Sequence, residues 1–336
     1  MAFRTYFSLL LLLQVAINMF DSAPVFAQPA TFHHCITQTI GNTPMVQLNR
    51  LADAPATKAR VLLKLEYFNP AGSIKDRAAL SMLEDLLRQH NGHITHVIEA
   101  TSGNSGVACA WLGAVYGIPV TIVMPEHMSK ERQLMIRHYG AQLITTERAK
   151  GMPGAIAHAE ALLHKIDGAV SMNQFENPAN AAAHQHTTAS EVWQQTGGHI
   201  DALVACMGTG GTLTGMARFL KARHPAINII AAEPSACPLL SQGQGGEHAI
   251  QGINPGHIPK GLDRSLIDEV LTVDCQQAIE TARLLARKEG IAAGISSGAT
   301  VTAALALASR PEFQGKTIVA ILADGAERYY STALFE

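Results

Sequence analysis

From residue 60 onward, short apolar runs rich in β-branched residues alternate with longer segments of helical periodicity. The short runs predict strands over residues 60–67, 96–100, 120–125, 142–146, 169–174, 201–207, 227–233 and 317–323. The longer segments predict helices over residues 76–90, 107–116, 129–139, 153–166, 180–195, 215–223, 276–288 and 299–309. Strands that alternate with helices favour an α/β fold with mostly parallel sheets covered on both faces. In such sheets, ligands bind beyond the carboxyl ends of the strands.

Composition limits the class of ligand. The 336 residues are 47% hydrophobic and 15% charged, which suffices for two domains with a cleft between them. The net charge of −2 and the scattered basic residues argue against nucleic acid and anionic membranes as partners. Five cysteines without a CxxC pair favour a reducing compartment. Cys109 and Cys206 lie in apolar runs, which predicts small buried side chains.

The first 34 residues differ from the rest of the chain. Arg4 precedes an apolar stretch over residues 7–20, and small residues follow near Ala27. This pattern is typical of a secretory signal peptide, and it is too short and too interrupted for a membrane span. The alternatives are a start codon placed too early or a disordered leader. We therefore interpret residues 1–34 as a signal-like or disordered leader, and no later segment is apolar enough to cross a bilayer.

A glycine-rich turn, Gly-Thr-Gly-Gly-Thr at 208–212, follows the strand predicted at 201–207. Glycines let backbone N–H groups approach an anion closely, and the N-terminus of the next helix adds a favourable dipole. No Lys-Ser/Thr pair follows, as a Walker loop requires, and Leu213 replaces the third glycine of a dinucleotide fingerprint. The turn predicts a phosphate site, with a plain tight turn as the alternative.

Three further segments carry candidate chemistry. Lys75 lies where a Gly/Pro-rich loop enters a helix, and partial desolvation there would make it an amine nucleophile. A solvated lysine is the alternative. The loop at 101–106, Thr-Ser-Gly-Asn-Ser-Gly, offers uncharged donors to a carboxylate, although a helix-capping loop has a similar composition. The segment 294–298, Gly-Ile-Ser-Ser-Gly, means little by itself.

In order and spacing, these four segments resemble the fold-type II pyridoxal-phosphate (PLP) enzymes, specifically the cysteine synthase (O-acetylserine sulfhydrylase) and cystathionine β-synthase family. The similarity runs from Ile-Gly-Asn-Thr-Pro at 40–44 to Tyr-Tyr-Ser-Thr-Ala-Leu at 329–334. It implies a tryptophan synthase β-like α/β fold with two three-layer αβα domains and a cleft between them. The smaller subdomain, about 76–180, would be inserted in a larger one formed by the rest of 35–336.

The resemblance also implies a role for each matched residue. Lys75 would form the Schiff base with PLP and later act as acid and base at the substrate Cα. The cofactor phosphate would bind to Gly208, Thr209, Gly210, Gly211 and Thr212. Asn104 would hydrogen-bond to the 3′ oxygen of the cofactor, and Ser296 would face its pyridine nitrogen. The substrate carboxylate would bind to Thr101, Ser102, Ser105 and Gln174.

A hydroxyl at the pyridine nitrogen has a chemical consequence. It cannot keep the ring protonated as a carboxylate would, so the ring is a weaker electron sink, and racemisation and transamination are disfavoured. Loss of the α-proton coupled to departure of a β-substituent stays accessible. The resemblance thus implies a transferase that converts O-acetyl-L-serine and sulfide to L-cysteine and acetate.

The subfamily features are mixed, which leaves alternatives open. Residues 69–77 look like cysteine synthase B or cystathionine β-synthase, whereas 251–253 and 327–335 look like cysteine synthase A. Ala326 replaces a usual glycine, and the arginine-rich acceptor loop of the B type is not apparent near Ile253. Other β-replacements or β-eliminations, with O-phosphoserine, thiosulfate or homocysteine, are therefore alternatives. A non-catalytic relative that binds a partner peptide is another.

The resemblance further implies small-molecule partners, namely an amino-acid substrate and a sulfur donor, together with a homodimer and serine acetyltransferase as a candidate partner. It implies a cytoplasmic location, unless residues 1–27 are a signal peptide that directs export to a compartment such as the periplasm. We expect no metal site. His33, His34 and Cys35 lie at the end of the leader, and His184 and His186 do not share a helix face.

Overall fold

The computed structural model describes residues 32–51 and 59–336. The predicted signal peptide lies outside the described residues. The chain divides into two units, residues 1–38 and 39–336, and the second contains every strand named below. The described part of the first unit, residues 32–38, makes local contacts, such as the ring of Phe32 against that of His34 at 5.0 Å.

The second unit alternates strands and helices as the sequence pattern predicts. The strands are β1 (Met45–Gln47), β2 (Arg60–Leu65), β3 (His96–Ala100), β4 (Val120–Pro125), β5 (Gln142–Thr146), β6 (Ala169–Val170), β7 (Ala202–Cys206), β8 (Asn228–Pro234), β9 (Glu269–Val273) and β10 (Thr317–Leu322). The α-helices are α1 (Lys75–Gln89), α2 (Asn104–Tyr116), α3 (Lys130–His138), α4 (Gly151–Leu163), α5 (Pro178–Ala183), α6 (Ala189–Gln195), α7 (Gly211–Arg223), α8 (Leu239–Gln242), α9 (Cys275–Leu284) and α10 (Ile295–Ala308). Two π-helical segments, His184–Thr188 and Leu285–Glu289, extend α5 and α9.

The strands form two sheets. One has six strands in the order β1-β2-β10-β7-β8-β9, and the other has four in the order β5-β4-β3-β6. All pairings are parallel except that of β1 with β2. Ile318 of β10 lies opposite both Val61 and Ala202, so the last strand joins β2 to β7. The mostly parallel α/β class predicted from the sequence is confirmed.

Separate apolar clusters cover the two sheets. Side chains of β2, β8 and β10 pack against α9 and α10 on one face of the six-stranded sheet, and against α7 on the other. The four-stranded sheet packs against α1 and α2 on one face and α4 on the other. Because both faces are covered, β4 and β10 are buried along their whole length, which is why they read as continuous apolar runs.

Three strands, at 96–100, 120–125 and 142–146, have the bounds predicted from the sequence. The strand predicted at 169–174 instead ends at Val170, because Ser171 and Met172 leave the sheet to hydrogen-bond to the Glu99 carboxylate at 2.7 and 3.1 Å. The long helical stretch predicted at 180–195 is present, although its middle, His184–Thr188, is π-helical.

The strand predicted at 60–67 stops at Leu65 and continues as a 3₁₀ turn over Glu66–Phe68. The strands β1 and β9 were not predicted. The first has only three residues, and the second is a partly exposed strand at the edge of its sheet, so neither is a long apolar run. Within residues 32–51 and 59–336, no helix has the length and apolar character needed to span a bilayer.

Candidate active site

One cavity brings together the residues predicted to carry chemistry. It is lined by Lys75, Thr101, Ser102, Asn104, Ser105, Gln174, Gly208, Thr209, Gly210, Thr212 and Ser296. Gly211, also predicted, is buried as the first residue of α7. The lining segments follow β3 and β7 and flank β10, so the cavity lies beyond the carboxyl ends of the strands, where ligands of parallel sheets bind.

Lys75 is the first residue of α1, and the segment just after β10 holds the preceding loop in place. The Ile74 N–H donates to the Ala323 carbonyl at 2.9 Å, and Ser73 forms an isolated β-bridge with Asp324. Desolvation lowers the pKa of Lys75, and the charge of Asp324 opposes that shift. A larger fraction of neutral amine favours nucleophilic attack on a carbonyl.

A buried ion network fixes the helix that begins at Lys75. Arg77 contacts Glu66 and Glu191, each at 2.6 Å, and Glu191 also contacts Lys64 at 2.7 Å. We call these four residues the Arg77 network. They come from β2, the turn after it, α1 and α6. Because Arg77 is only two residues beyond Lys75, the network restrains the position of the candidate nucleophile.

The glycine turn is shaped for an anion. Gly210 has a φ of +84°, and a Cβ there would lie 2.7 Å from the Leu262 Cβ. A Cβ on Gly208 would lie 4.0 Å from the Lys75 amine, which places the turn beside that lysine. The turn leads into α7, whose first backbone N–H groups have no acceptor within the helix.

The loop at 101–105 meets Gln174, as the sequence predicts. The Ser105 hydroxyl donates to the side-chain oxygen of Gln174. The segment that carries Gln174 is held by the buried Glu99 carboxylate of β3. Burial raises the pKa of Glu99, and its hydrogen bonds to the segment oppose that shift. Hydroxyl and amide groups therefore converge at one end of the cavity without a side chain that titrates near neutral pH.

Asn104 contacts charged residues that the sequence reading did not single out. Its Nδ2 donates to Asp324 at 2.6 Å, and its Oδ1 accepts from Arg132 and Arg328 at 3.1 and 3.0 Å. Arg132 and Asp324 belong to no motif that the sequence analysis identified. Only Arg328 had a signal, because it lies in the family-like segment 327–335.

Ser296, near the start of α10, lines the cavity together with Cys206 and Thr300. The Cys206 sulfur lies 3.3 Å from the Thr300 hydroxyl. Cys109 is buried as predicted, but the prediction for Cys206 was wrong: it is half-buried and lines the cavity because it ends β7. Burial raises the Cys206 pKa to about 11, which keeps the thiol neutral.

A family profile described as pyridoxal-phosphate dependent enzyme matches residues 36–324. The chain belongs to this family. Cysteine synthase 3 of Caenorhabditis elegans is 45% identical over 301 residues, which cover 88% of each chain. Cysteine synthase A of Escherichia coli K12 is 43% identical over 309 residues, covering 88% of this chain and 94% of that one.

Solved structures agree with this assignment. A cysteine synthase from Entamoeba histolytica superposes with a TM-score of 0.87 and 40% identity, covering 94% of each chain. O-ureido-L-serine synthase has a TM-score of 0.86 and 41% identity, covering 90% of this chain and 95% of that one. The resemblance to fold-type II PLP enzymes is confirmed, and PLP is the cofactor of this chain.

The residues of the cavity fit that cofactor. A buried amine of lowered pKa lies next to a turn with three glycines at the start of a helix, and these two features suit the carbonyl and the phosphate of one small molecule. The sequence also predicted that the chain has no metal site. Within the described residues, no three His, Cys, Asp or Glu side chains are grouped to bind a metal ion.

Proposed function

We propose that this chain is a cysteine synthase that converts O-acetyl-L-serine and sulfide to L-cysteine and acetate. The observation that carries this proposal is the single cavity that unites Lys75, the glycine turn at 208–212 and the loop at 101–105. Relatives support the proposal as well, since cysteine synthases are 43–45% identical to this chain over most of its length. When bound, PLP supplies the electron sink that this chemistry needs.

The residues around the cofactor divide its binding among them. Lys75 would hold it through Nζ, and the backbone N–H groups and hydroxyls of 208–212 would bind its phosphate. The Asn104 amide would hydrogen-bond to its 3′ oxygen, and the Ser296 hydroxyl would face its ring nitrogen. Because a serine keeps the ring nitrogen unprotonated, the site favours departure of a β-substituent over reactions that need a long-lived carbanion.

The other half of the site binds and orients the substrate. The hydroxyls of Thr101, Ser102 and Ser105 and the amide of Gln174 bind the α-carboxylate with uncharged donors. Holding the carboxylate fixes the substrate Cα relative to the Lys75 amine. Once the substrate amine has displaced Nζ from the cofactor, the free Lys75 amine would remove the α-proton as acetate leaves, and would return a proton to Cα after sulfide has attacked Cβ.

Two comparisons favour a second function. O-ureido-L-serine synthase is about as similar to this chain as the solved cysteine synthase from Entamoeba histolytica is, and a hydrogen sulfide-producing enzyme from Fusobacterium nucleatum has a TM-score of 0.84. The same cavity could therefore join a different nucleophile to a β-substituted serine. O-phosphoserine, thiosulfate or homocysteine use are further alternatives, as is a non-catalytic protein that binds a partner peptide.

Absorbance spectroscopy tests the proposal. We expect the purified protein to show a visible band of lysine-bound cofactor, which Lys75→Ala abolishes and Lys150→Ala, on the exposed surface, retains. Addition of O-acetyl-L-serine should shift the band, and sulfide should restore it while cysteine forms. If O-acetyl-L-serine, O-phosphoserine and serine all leave the spectrum unchanged, the proposed chemistry is wrong. Restoration by a nucleophile other than sulfide would favour the second function.

We also propose a homodimer, serine acetyltransferase as a partner, and a smaller subdomain formed by about residues 76–180. The four-stranded sheet, whose strands lie between residues 96 and 170, supports that subdomain.

A cytoplasmic location follows from the family resemblance, with export as the alternative if residues 1–27 are a signal peptide. Light scattering of the purified protein tests the dimer, and co-purification tests the partner.

A further inference from the structure

Asp324 lines the cavity although almost none of its surface is exposed. It lies two residues after the end of β10, and its Oδ2 accepts hydrogen bonds from the Asn104 amide at 2.6 Å and the Tyr329 hydroxyl at 2.7 Å. The Arg132 guanidinium lies 3.6 Å from the same oxygen. None of the roles proposed above involves this carboxylate.

The charges around Asn104 determine which way its amide points. Two guanidinium groups, from Arg132 and Arg328, donate to Oδ1, and the carboxylate of Asp324 accepts from Nδ2. A flipped amide would place its NH₂ against two cations and its oxygen against an anion, which costs hydrogen bonds to charged groups. Since an amide nitrogen has two hydrogens, one satisfies Asp324 and the other is left for a ligand.

Asp324 is also held next to the candidate nucleophile. Asp324 forms an isolated β-bridge with Ser73, which lies two positions before Lys75. The backbone carbonyl of Asp324 also accepts a hydrogen bond from the Gly294 N–H at 3.0 Å. Its second oxygen, Oδ1, is buried without a hydrogen-bond partner in the described part of the chain. A Cβ on Gly294 would come within 2.1 Å of that oxygen, so the carboxylate fits closely against the start of α10.

We propose that Asp324 is a positioning residue: it orients the Asn104 amide toward the 3′ oxygen of the cofactor and supplies the negative charge that balances a protonated nitrogen at Lys75. This inference rests on the proposed function, because it assumes that Lys75 holds PLP. It assigns Asp324 no contact with the substrate. Its effect should therefore appear in the electronic state of the bound cofactor and in turnover more than in substrate affinity.

The test is a pH titration of the visible band in the holoenzyme. Asp324→Asn keeps the shape of the side chain and removes its charge, and Asp324→Ser removes both charge and bulk. Asp167→Asn, an exposed carboxylate in the loop before β6, is the matched control. We expect the midpoint of the band to fall by about 1 pH unit in both Asp324 variants, since a nearby anion stabilises the protonated nitrogen. The control should titrate like the wild type.

Steady-state kinetics supply a second readout. In the Asp324 variants kcat should fall about tenfold or more, while KM for the amino-acid substrate stays within about threefold of the wild type, since the residues proposed to bind the carboxylate are unchanged. Midpoints equal to that of the wild type in folded Asp324 variants would overturn the inference and leave the proposed function intact. Unfolding of both variants, judged by circular dichroism, would overturn it too. A wild type without a visible band would overturn both proposals.

Discussion

The side-chain amide of Asn180 donates hydrogen bonds to two different parts of the cavity. One goes to the Gln174 carbonyl at 2.7 Å and the other to the Thr209 hydroxyl at 2.9 Å. Asn180 is buried at the third position of α5. It therefore connects the segment proposed to bind the substrate carboxylate with the turn proposed to bind the phosphate, although no motif had drawn attention to it.

Replacing Asn180 by Asp removes both donors without changing the size of the side chain. It also places a carboxylate beside the Gln174 carbonyl and near a bound phosphate. We expect the dissociation constant for PLP to rise about tenfold or more, because hydrogen bonds of buried groups contribute about 1 to 3 kcal/mol. Titration of the cofactor-free protein with PLP measures it, with the exposed Asn49→Asp as control. Equal affinities would contradict this linking role.

Gly211 is the second residue-scale prediction. A Cβ there would lie 2.0 Å from the side-chain oxygen of Asn180, so Gly211→Ala requires a shift of the turn or of α5. We expect the free energy of unfolding to fall by about 1 to 3 kcal/mol, the usual cost of overpacking a core. Urea denaturation measures the change, and Gly245→Ala, where a Cβ would meet no atom within 4 Å, should be neutral. A stability equal to that of the control would show that the turn accommodates a methyl group.

At the scale of elements, the Arg77 network joins β2, α1 and α6 through charges that are removed from solvent. Burial opposes ionisation of Glu191, but hydrogen bonds and charges from Arg77 and Lys64 outweigh it and lower its pKa to about 2. A carboxyl group whose pKa is lower in the folded state stabilises the fold above its unfolded pKa. That contribution is lost as the pH falls from about 4.5 toward 2.

Glu191→Gln should therefore reduce the stability of the fold at neutral pH. It should also make that stability less sensitive to a fall in pH. We expect the free energy of unfolding at pH 7 to fall by about 3 to 5 kcal/mol, because the buried Lys64 loses its ion-pair partner and Arg77 loses one of its two. The difference from the wild type should narrow below pH 4.5. Urea denaturation from pH 7 to pH 3 measures both effects, and the exposed Glu84→Gln on α1 is the control. A difference that is constant with pH would rule out this explanation.

Elements made by local patterns could be predicted, whereas those made by distant contacts could not. Continuous apolar runs located β4 and β10, and the glycine turn marked the start of α7. The π-helical turn at His184–Thr188 depends on packing against α7, which leaves no periodic signal of its own. Asp324 and Asn104 are 220 residues apart, so nothing in either local segment indicated that they meet.

At the scale of the whole molecule, every residue that lines the cavity belongs to the unit of residues 39–336. We therefore expect a protein that starts at residue 32 to bind PLP and turn over like the full chain. Visible absorbance and steady-state kinetics measure this, and loss of the band on truncation would contradict it. Mass spectrometry of the protein from its native host tests the leader separately, since a first residue near Gln28 would indicate cleavage and export.

The order of strands in the larger sheet was beyond what the sequence pattern could predict. Alternating strands and helices indicated a parallel sheet, but they did not indicate which strands are neighbours. In the structure β10 lies between β2 and β7, far from both in the chain. The family resemblance supplied the fold that the pattern alone left open.

The central place of β10 has a consequence for synthesis on the ribosome. All strands of the four-stranded sheet precede residue 171, but β2 and β7 gain their shared neighbour only when residues 317–322 have been made. At about 5 to 20 residues per second, the delay between the end of β7 and the end of β10 lasts roughly 6 to 23 seconds. For that time the nascent chain carries two apolar strand edges without a partner, and such edges are where chains associate. We expect this period to be when the protein most needs a chaperone.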